Sequence, residues 1–467
     1  MGKTLSSFAI SLVFTAYWIT GAQANIGEDF GYGPRSASLG GASAAWNFDG
    51  YAAYNNPAGL PLINRSGTGF TDERFSLSYG IIYMNPQFTP ITGVVTINSY
   101  SSGPGVTPQT GTVDNSYKNT FGQMFGASWR ADPEWMNLTL GLTVFFPFAQ
   151  LALIDSGETL EPEYVLYRDR TQQPDVTFAG GIEILPGLHF GAGMHVDYTL
   201  ATTSDATLLQ TTAGPSTARL QTSIAPKVTP FFGLQMNDSD KTSIGFVARF
   251  PSSVTSTIRV NSYFQPLGSL NTVPVTFAAN DTIVYQPLSF ELSGMIKTSE
   301  NTRTFGQLDY QSWSHFQAPF LMISNPCAGA GCGIPTAGGP TLDAQYRDIW
   351  IPRIGEEISI GGKTTVRLGY AYHQSIFKTT PAGIGNYLDP SKHLINAGMG
   401  WVFDRFLGYH KPWNLDVSLN YEQLITQTVT KSPGDEAGNL SSQKIGAPGY
   451  EAGGHVLGGQ VALTLGI

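Results

Sequence analysis

The chain has 467 residues and a formal net charge of −9, and only 13% of its residues are charged, against about 25% in an average soluble domain. The acidic balance excludes the basic footprint that nucleic acid requires. Aromatics reach 12%, with Gly 54 and Pro 29; mean hydropathy stays near zero, and after residue 24 no apolar run approaches the about 20 residues of a membrane-spanning helix. This combination points to a transmembrane β-barrel, whose lipid and lumen faces alternate and average out. On composition alone, the alternative is a secreted soluble β-protein.

Lys3, the apolar stretch Phe8 to Ile19 and the A-x-A site Ala22-Gln23-Ala24 make residues 1–24 a secretion signal, with a mature chain starting at Asn25. No cysteine follows the cleavage point, so lipid anchoring is not expected. Residues 25–66 do not alternate. They are rich in Gly, Ala and Ser, with Phe30, Leu39, Trp46, Phe48, Tyr51, Tyr54 and Leu60 scattered among them. That apolar content is too high for a linker and suits a compact body packed inside a barrel, where small residues let backbones approach.

Residues 67–467 read as strand after strand. In LDVSLNY, Leu415, Val417, Leu419 and Tyr421 share one face, and Asp416, Ser418 and Asn420 the other. TTVRLGYAYH sets Val366, Leu368, Tyr370 and Tyr372 against Arg367, Gly369, Ala371 and His373, and NLTLGLTVF repeats the pattern. The second face carries Gly, Ser, Thr and Asn, whereas a soluble sandwich would show Lys and Glu there. Short turns such as Pro186-Gly187 and Gly361-Gly362 alternate with long polar loops near 99–120, 325–343, 379–391 and 432–454. About fourteen strands result, an even number that closes without an edge. The expected cores include 137–150, 164–185, 241–262, 281–299, 302–324 and 364–377. Several exceed the about 9–11 residues that cross a bilayer and should project outward. A ring this wide has a lumen that strand side chains cannot fill, so 25–66 is the expected plug. Cys327 and Cys332 should close a small loop as a disulfide, too few ligands for zinc.

Three segments carry a resemblance to a known family. Asn56-Pro57-Ala58 in the leading segment, LDYQSWSHFQ from Leu308 to Gln317, and FFPFAQL from Phe145 to Leu151 occur in an order that resembles the FadL-type outer-membrane transporters of long-chain fatty acids and other hydrophobic compounds. The likeness covers essentially the whole mature chain. It departs at Ala149-Gln150, where the family usually has Gly-Leu, and at the short connection 211–218, where the family often carries a longer lid. The resemblance implies a 14-stranded antiparallel barrel with an N-terminal hatch in the lumen. It also implies a kinked third strand opening the wall sideways at Phe145, Phe146, Pro147 and Phe148. Pro147 has no N–H for the ladder, which independently favours a bulge, break or strand end there.

No G-x-S-x-G, H-E-x-x-H or P-loop segment occurs, so neither an enzyme nor a cofactor is expected. Trp313 shares a side with Asp309 and Gln311 and, with Phe316, is a candidate for the ligand pocket. Arg367 and His373, expected to face inward, are candidates for contact with a polar head group. The expectation is a monomer in the outer membrane of a Gram-negative bacterium. It passively carries a hydrophobic small molecule (fatty acid, alkane or aromatic) and releases it into outer-membrane lipid. A general porin or a surface-exposed structural or adhesive barrel is the competing reading.

Overall fold

The structure is a computed structural model. It describes residues 27, 30–63, 74–96, 109–112, 117, 119–131, 137–148, 162–164, 166–167, 174–209, 217–238, 240–265, 273–316, 322–324, 346–379, 387–403, 412–430, 443–444 and 449–466. Fourteen antiparallel strands close into one ring. In chain order they are β1 (Phe75–Phe88), β2 (Thr120–Arg130), β3 (Leu138–Pro147), β4 (Asp175–Leu185), β5 (Leu188–Leu209), β6 (Thr217–Asp238) and β7 (Thr242–Arg249). They continue as β8 (Ser289–Lys297), β9 (Thr302–Gln311), β10 (Ile349–Ile360), β11 (Thr364–His373), β12 (Lys392–Phe403), β13 (Trp413–Thr430) and β14 (Gly449–Gly466). Each pairs with its sequence neighbour, and β14 returns to β1, with Ser76 opposite Gly466 and Phe88 opposite Gly454. Closure satisfies the backbone that lipid cannot hydrogen-bond.

The faces are those of a membrane barrel. On β1, Leu77, Tyr79, Ile81 and Tyr83 are exposed to the outside, while Ser76, Ser78, Ile82 and Met84 are buried. An aromatic row crosses four neighbouring strands on the outer face. Phe246, Phe290, Tyr310 and Trp350 follow one another with ring centroids 6.2, 6.3 and 5.0 Å apart. Gly187, Gly361 and Gly362 adopt positive φ in the tight turns.

Four expected strands differ in extent from the sequence reading. β7 stops at Arg249 and resumes as Ser252–Gln265, and β8 is preceded by Val273–Gln286. Pro251 and Pro287 fall in the two breaks and cannot donate to the ladder. The register is kept across them, since Arg249 faces Ser289 and Ser252 faces Gln286. The expected strand 302–324 ends at Gln311, where Trp313–His315 form a 3-10 turn. The expected strand 164–185 begins only at Asp175; Glu163–Tyr164 instead pair in parallel with Tyr387–Leu388. The reason lies in Tyr164, Leu166 and Tyr167, whose side chains are buried in the barrel's mouth rather than presented to lipid.

The leading segment forms two short helices, Pro34–Ser38 and Ala52–Asn55, and a 3-10 helix, Pro57–Leu62. The first helix packs on β11, β12, β13 and β14, and the 3-10 helix on β3, β4, β5 and β6. Touching both halves of the ring places this segment inside it. The inner wall accepts it because it is bare. A Cβ at Gly233 would stand 2.1 Å from Asn56 Oδ1, and one at Gly191 would stand 2.3 Å from the Pro57 carbonyl carbon. Only glycine permits that approach.

Candidate functional site: floor, lumen and mouth

The leading segment makes the floor of the lumen, and polar groups join it to the wall. Asn56 caps the 3-10 helix, with its Oδ1 accepting from Ala58 N at 3.0 Å. Its Nδ2 donates to Ala44 O at 2.6 Å and to Leu234 O on β6 at 3.3 Å. Three wall arginines, each paired with an acid, tie in the rest. Arg249 binds Glu291 at 2.8 Å and donates to Tyr54 O and Asn55 O at 3.0 and 3.1 Å. Arg353 binds Asp309 at 2.6 Å and Gly40 O at 2.8 Å. Arg367 binds Glu357 at 2.8 Å and Asp416 at 2.6 Å, and Arg35 reaches Glu357 from the segment itself at 3.0 Å. A cavity of about 30 Å³ lies between segment and wall, lined by Arg249, Glu291, Asp309 and Arg353 among others. It has room for one or two waters. Burial pushes the Asp49 carboxyl up to about 6, partly opposed by the Arg35 charge.

Above the floor the lining becomes apolar. One contiguous cluster runs from Tyr32, Tyr51 and Tyr54 of the segment through Ile82, Met84, Met124 and Phe145 to Trp313, Phe316 and Tyr450. At the mouth, Tyr285, Trp313, Phe316, Tyr346 and Phe377 form a chain of rings, with Phe316 and Tyr346 centroids 4.2 Å apart. Opposite them, Tyr164, Leu166 and Tyr167 lie buried against the far wall. Tyr164 stacks on Phe88 at 4.0 Å. Its hydroxyl donates to Gly453 O at 2.9 Å and accepts from Gly453 N at 2.7 Å. Burial holds that phenol neutral, pushed up to about 12. Tyr167 donates to Glu422 and accepts from Lys392 Nζ at 2.9 Å, and Lys392 and Glu422 are themselves 3.2 Å apart and fully buried.

The structure separates the residues singled out in the sequence. Trp313 and Phe316 lie together in the mouth, with Trp313 Nε1 donating to Gln311 Oε1 at 2.8 Å. His373 is buried at the top of β11, its Nδ1 3.0 Å from Gln374 O. Arg367 is six residues lower on the same strand, about 20 Å away, and its guanidinium goes to the two wall carboxylates. Pro147 is the last residue of β3, buried and opposite Gly122. Pairing with β4 ends slightly earlier, at Phe145 opposite Asp175. No register shift interrupts either seam among these residues. Phe145 is buried toward the lumen and Phe148 is exposed outside, so the aromatics divide between the two faces of the wall. Cys327, Cys332, residues 1–24 and the connection 211–216 lie outside the described residues.

Sequence reading missed Arg35, Arg249, Arg353, Tyr164, Tyr167, Lys392 and Glu422. A signal was present, because a charged residue on the small-residue face of a strand is conspicuous in a chain so poor in charge. Which acid meets which base required the register.

A closed 14-stranded ring, apolar outside and occupied at its base by the chain's own leading segment, defines an outer-membrane β-barrel with the FadL-type fold. No protein-family model matches the chain. The chain is 24% identical over 458 residues to Alkane uptake protein A of Marinobacter nauticus, a match covering 94% of this chain and 91% of that protein. In structure it is similar to a FadL homologue of Pseudomonas aeruginosa, with a TM-score of 0.55 at 13% identity over 96% of this chain and 98% of that one. It is similar too to the Pseudomonas putida toluene transporter TodX, with a TM-score of 0.50 at 13% identity over 96% and 99%.

Proposed function

We propose that this protein is a passive conduit by which hydrophobic molecules cross the outer membrane. The observation that carries the reading is the contiguous apolar cluster above a floor made by the chain's own leading segment. A water-filled porin needs a polar bore from one side to the other. Here tyrosines, methionines and phenylalanines line the lumen from the floor segment to the mouth. Such a lining binds by removing apolar surface from water, at roughly 25 cal/mol per Å². The names of the uptake and transport proteins similar in sequence and fold fit the same class.

In this reading the hatch is residues 25–66, and Asn56, Pro57 and Ala58 hold it against β6. Trp313, Phe316 and His373 belong to the receiving end of the pocket. Exit is sideways, where β3 ends at Pro147 beside Phe145, Phe146 and Phe148, because the floor bars the direct route. The hydrophobic molecule then enters outer-membrane lipid, and one barrel suffices for the whole path. Planar-bilayer recording combined with binding tests the proposal. Little steady conductance with saturable hexadecane binding is expected, whereas large steady conductance without binding would make the protein a porin. Bulky substitution at Phe145 should slow delivery to lipid without abolishing binding; equal delivery would remove the lateral route.

A further inference from the structure

Among the described residues five cationic side chains are buried: Arg35, Arg249, Arg353, Arg367 and Lys392. Each has a carboxylate oxygen within 3.2 Å, supplied by Glu357, Glu291, Asp309, Asp416 or Glu422. The four arginines belong to the floor. Lys392 differs in place and surroundings. It opens β12 at the mouth, opposite Leu424 and His373 in register, and its Nζ lies 4.7 Å from the centre of the Tyr167 ring. It is thus the buried cation that a molecule entering the apolar column would meet, and Glu422 and the Tyr167 hydroxyl already occupy it.

We propose that the Lys392–Glu422 pair, capped by Tyr167, sets the charge of the ligand: the column takes uncharged hydrocarbon chains or rings and rejects ionised long-chain acids. This rests on the transport reading above and narrows it. A carboxylate drawn into an apolar lumen loses its hydration and needs a counter-charge in return. To use Lys392 it must displace Glu422, leaving two carboxylates side by side in a dry site, where like charges cannot both stay ionised. An alkane or a neutral ester pays neither penalty. The pair fixes the mouth without lending the ligand a charge.

The test compares three probes of similar chain length on the purified full-length protein in nanodiscs at pH 8: hexadecane, palmitate and methyl palmitate. Hexadecane and methyl palmitate should bind, and palmitate at least tenfold more weakly than its ester. Glu422→Gln releases Lys392 and should raise the palmitate-to-ester affinity ratio at least tenfold. The double variant Lys392→Met/Glu422→Leu removes both charges and should keep the ratio of the natural protein. If palmitate binds the natural protein as tightly as its ester, the charge rule is wrong although the conduit stands. If neither hexadecane nor the ester binds, the conduit reading falls and takes this inference with it. The ester comparison needs no variant, so a misfolded Glu422→Gln protein leaves the question decidable.

Discussion

The floor and the mouth of the same lumen are held by different means. The floor is joined to the wall through glycine, asparagine and paired arginines, with backbone carbonyls as acceptors. At the mouth, stacked rings and two tyrosine hydroxyls surround a single buried ion pair, Lys392–Glu422. Directional contacts that share charges lock one geometry, since removing a partner strands a buried charge. Aromatic contacts are broad and tolerate sliding. The floor therefore rests mainly on charge-sharing contacts, and the mouth mainly on ring packing around one buried ion pair.

Substitutions can break that contrast, and the largest effect belongs to the floor. Glu357→Ala strands Arg35 and leaves Arg367 to Asp416 alone, and should cost about 3–5 kcal/mol of local stability. Amide exchange across residues 35–50 should then accelerate about 10²-fold or more, while exchange at 163–167 stays as it was. Parallel acceleration in both regions would mean that the two seals are one cooperative unit. Gly233→Val comes next. Its side chain meets Asn56 Oδ1 and should cost about 1–3 kcal/mol through overpacking. Planar-bilayer recordings of that variant should show frequent openings.

A smaller change sharpens the contrast from above. Tyr167→Phe removes the hydroxyl between Lys392 and Glu422, at roughly 1–2 kcal/mol. Protease accessibility of the 163–167 strap should rise, with the floor protected as before. The smallest effect is one of pH. The packed floor raises the Asp49 carboxyl from the usual 3.8 to about 6, so the packed state holds that proton more tightly than the loosened one. The resulting stability is complete below about pH 4 and is lost as pH rises through about 6. Exchange at residues 46–55 should be slower at pH 5 than at pH 8 after correction for intrinsic rates, and Asp49→Asn should flatten the difference.

Much of the wall was legible because period-two alternation needs no knowledge of partners. Leu368 and Tyr370 against Arg367 and His373 revealed their faces directly. The small-residue face of the strands also set the chain apart from a soluble sandwich, which would carry Lys and Glu there. The proline breaks at 251 and 287 were harder to see, since flanking alternation carries straight through them. The strap holding Tyr164 and Tyr167 reads as the start of the strand 164–185 because period-two reading carries no information on distant partners. Burial of the two tyrosines depends on Gly453, Lys392 and Glu422, more than 200 positions away in the chain. Long-range charge pairing at the floor was hidden for the same reason.

β5 and β6 run for 22 residues each. At about 3.3 Å per residue and a tilt near 45°, such a strand climbs roughly 50 Å, about twice the apolar band of an outer-membrane barrel. The excess length of β5 is flanked by the continuation of β7, which runs parallel to it from Leu200 to Leu209. Half of this hairpin thus extends beyond the apolar band as a braced mast, giving a fluorescent tag or an antibody a handhold away from the floor.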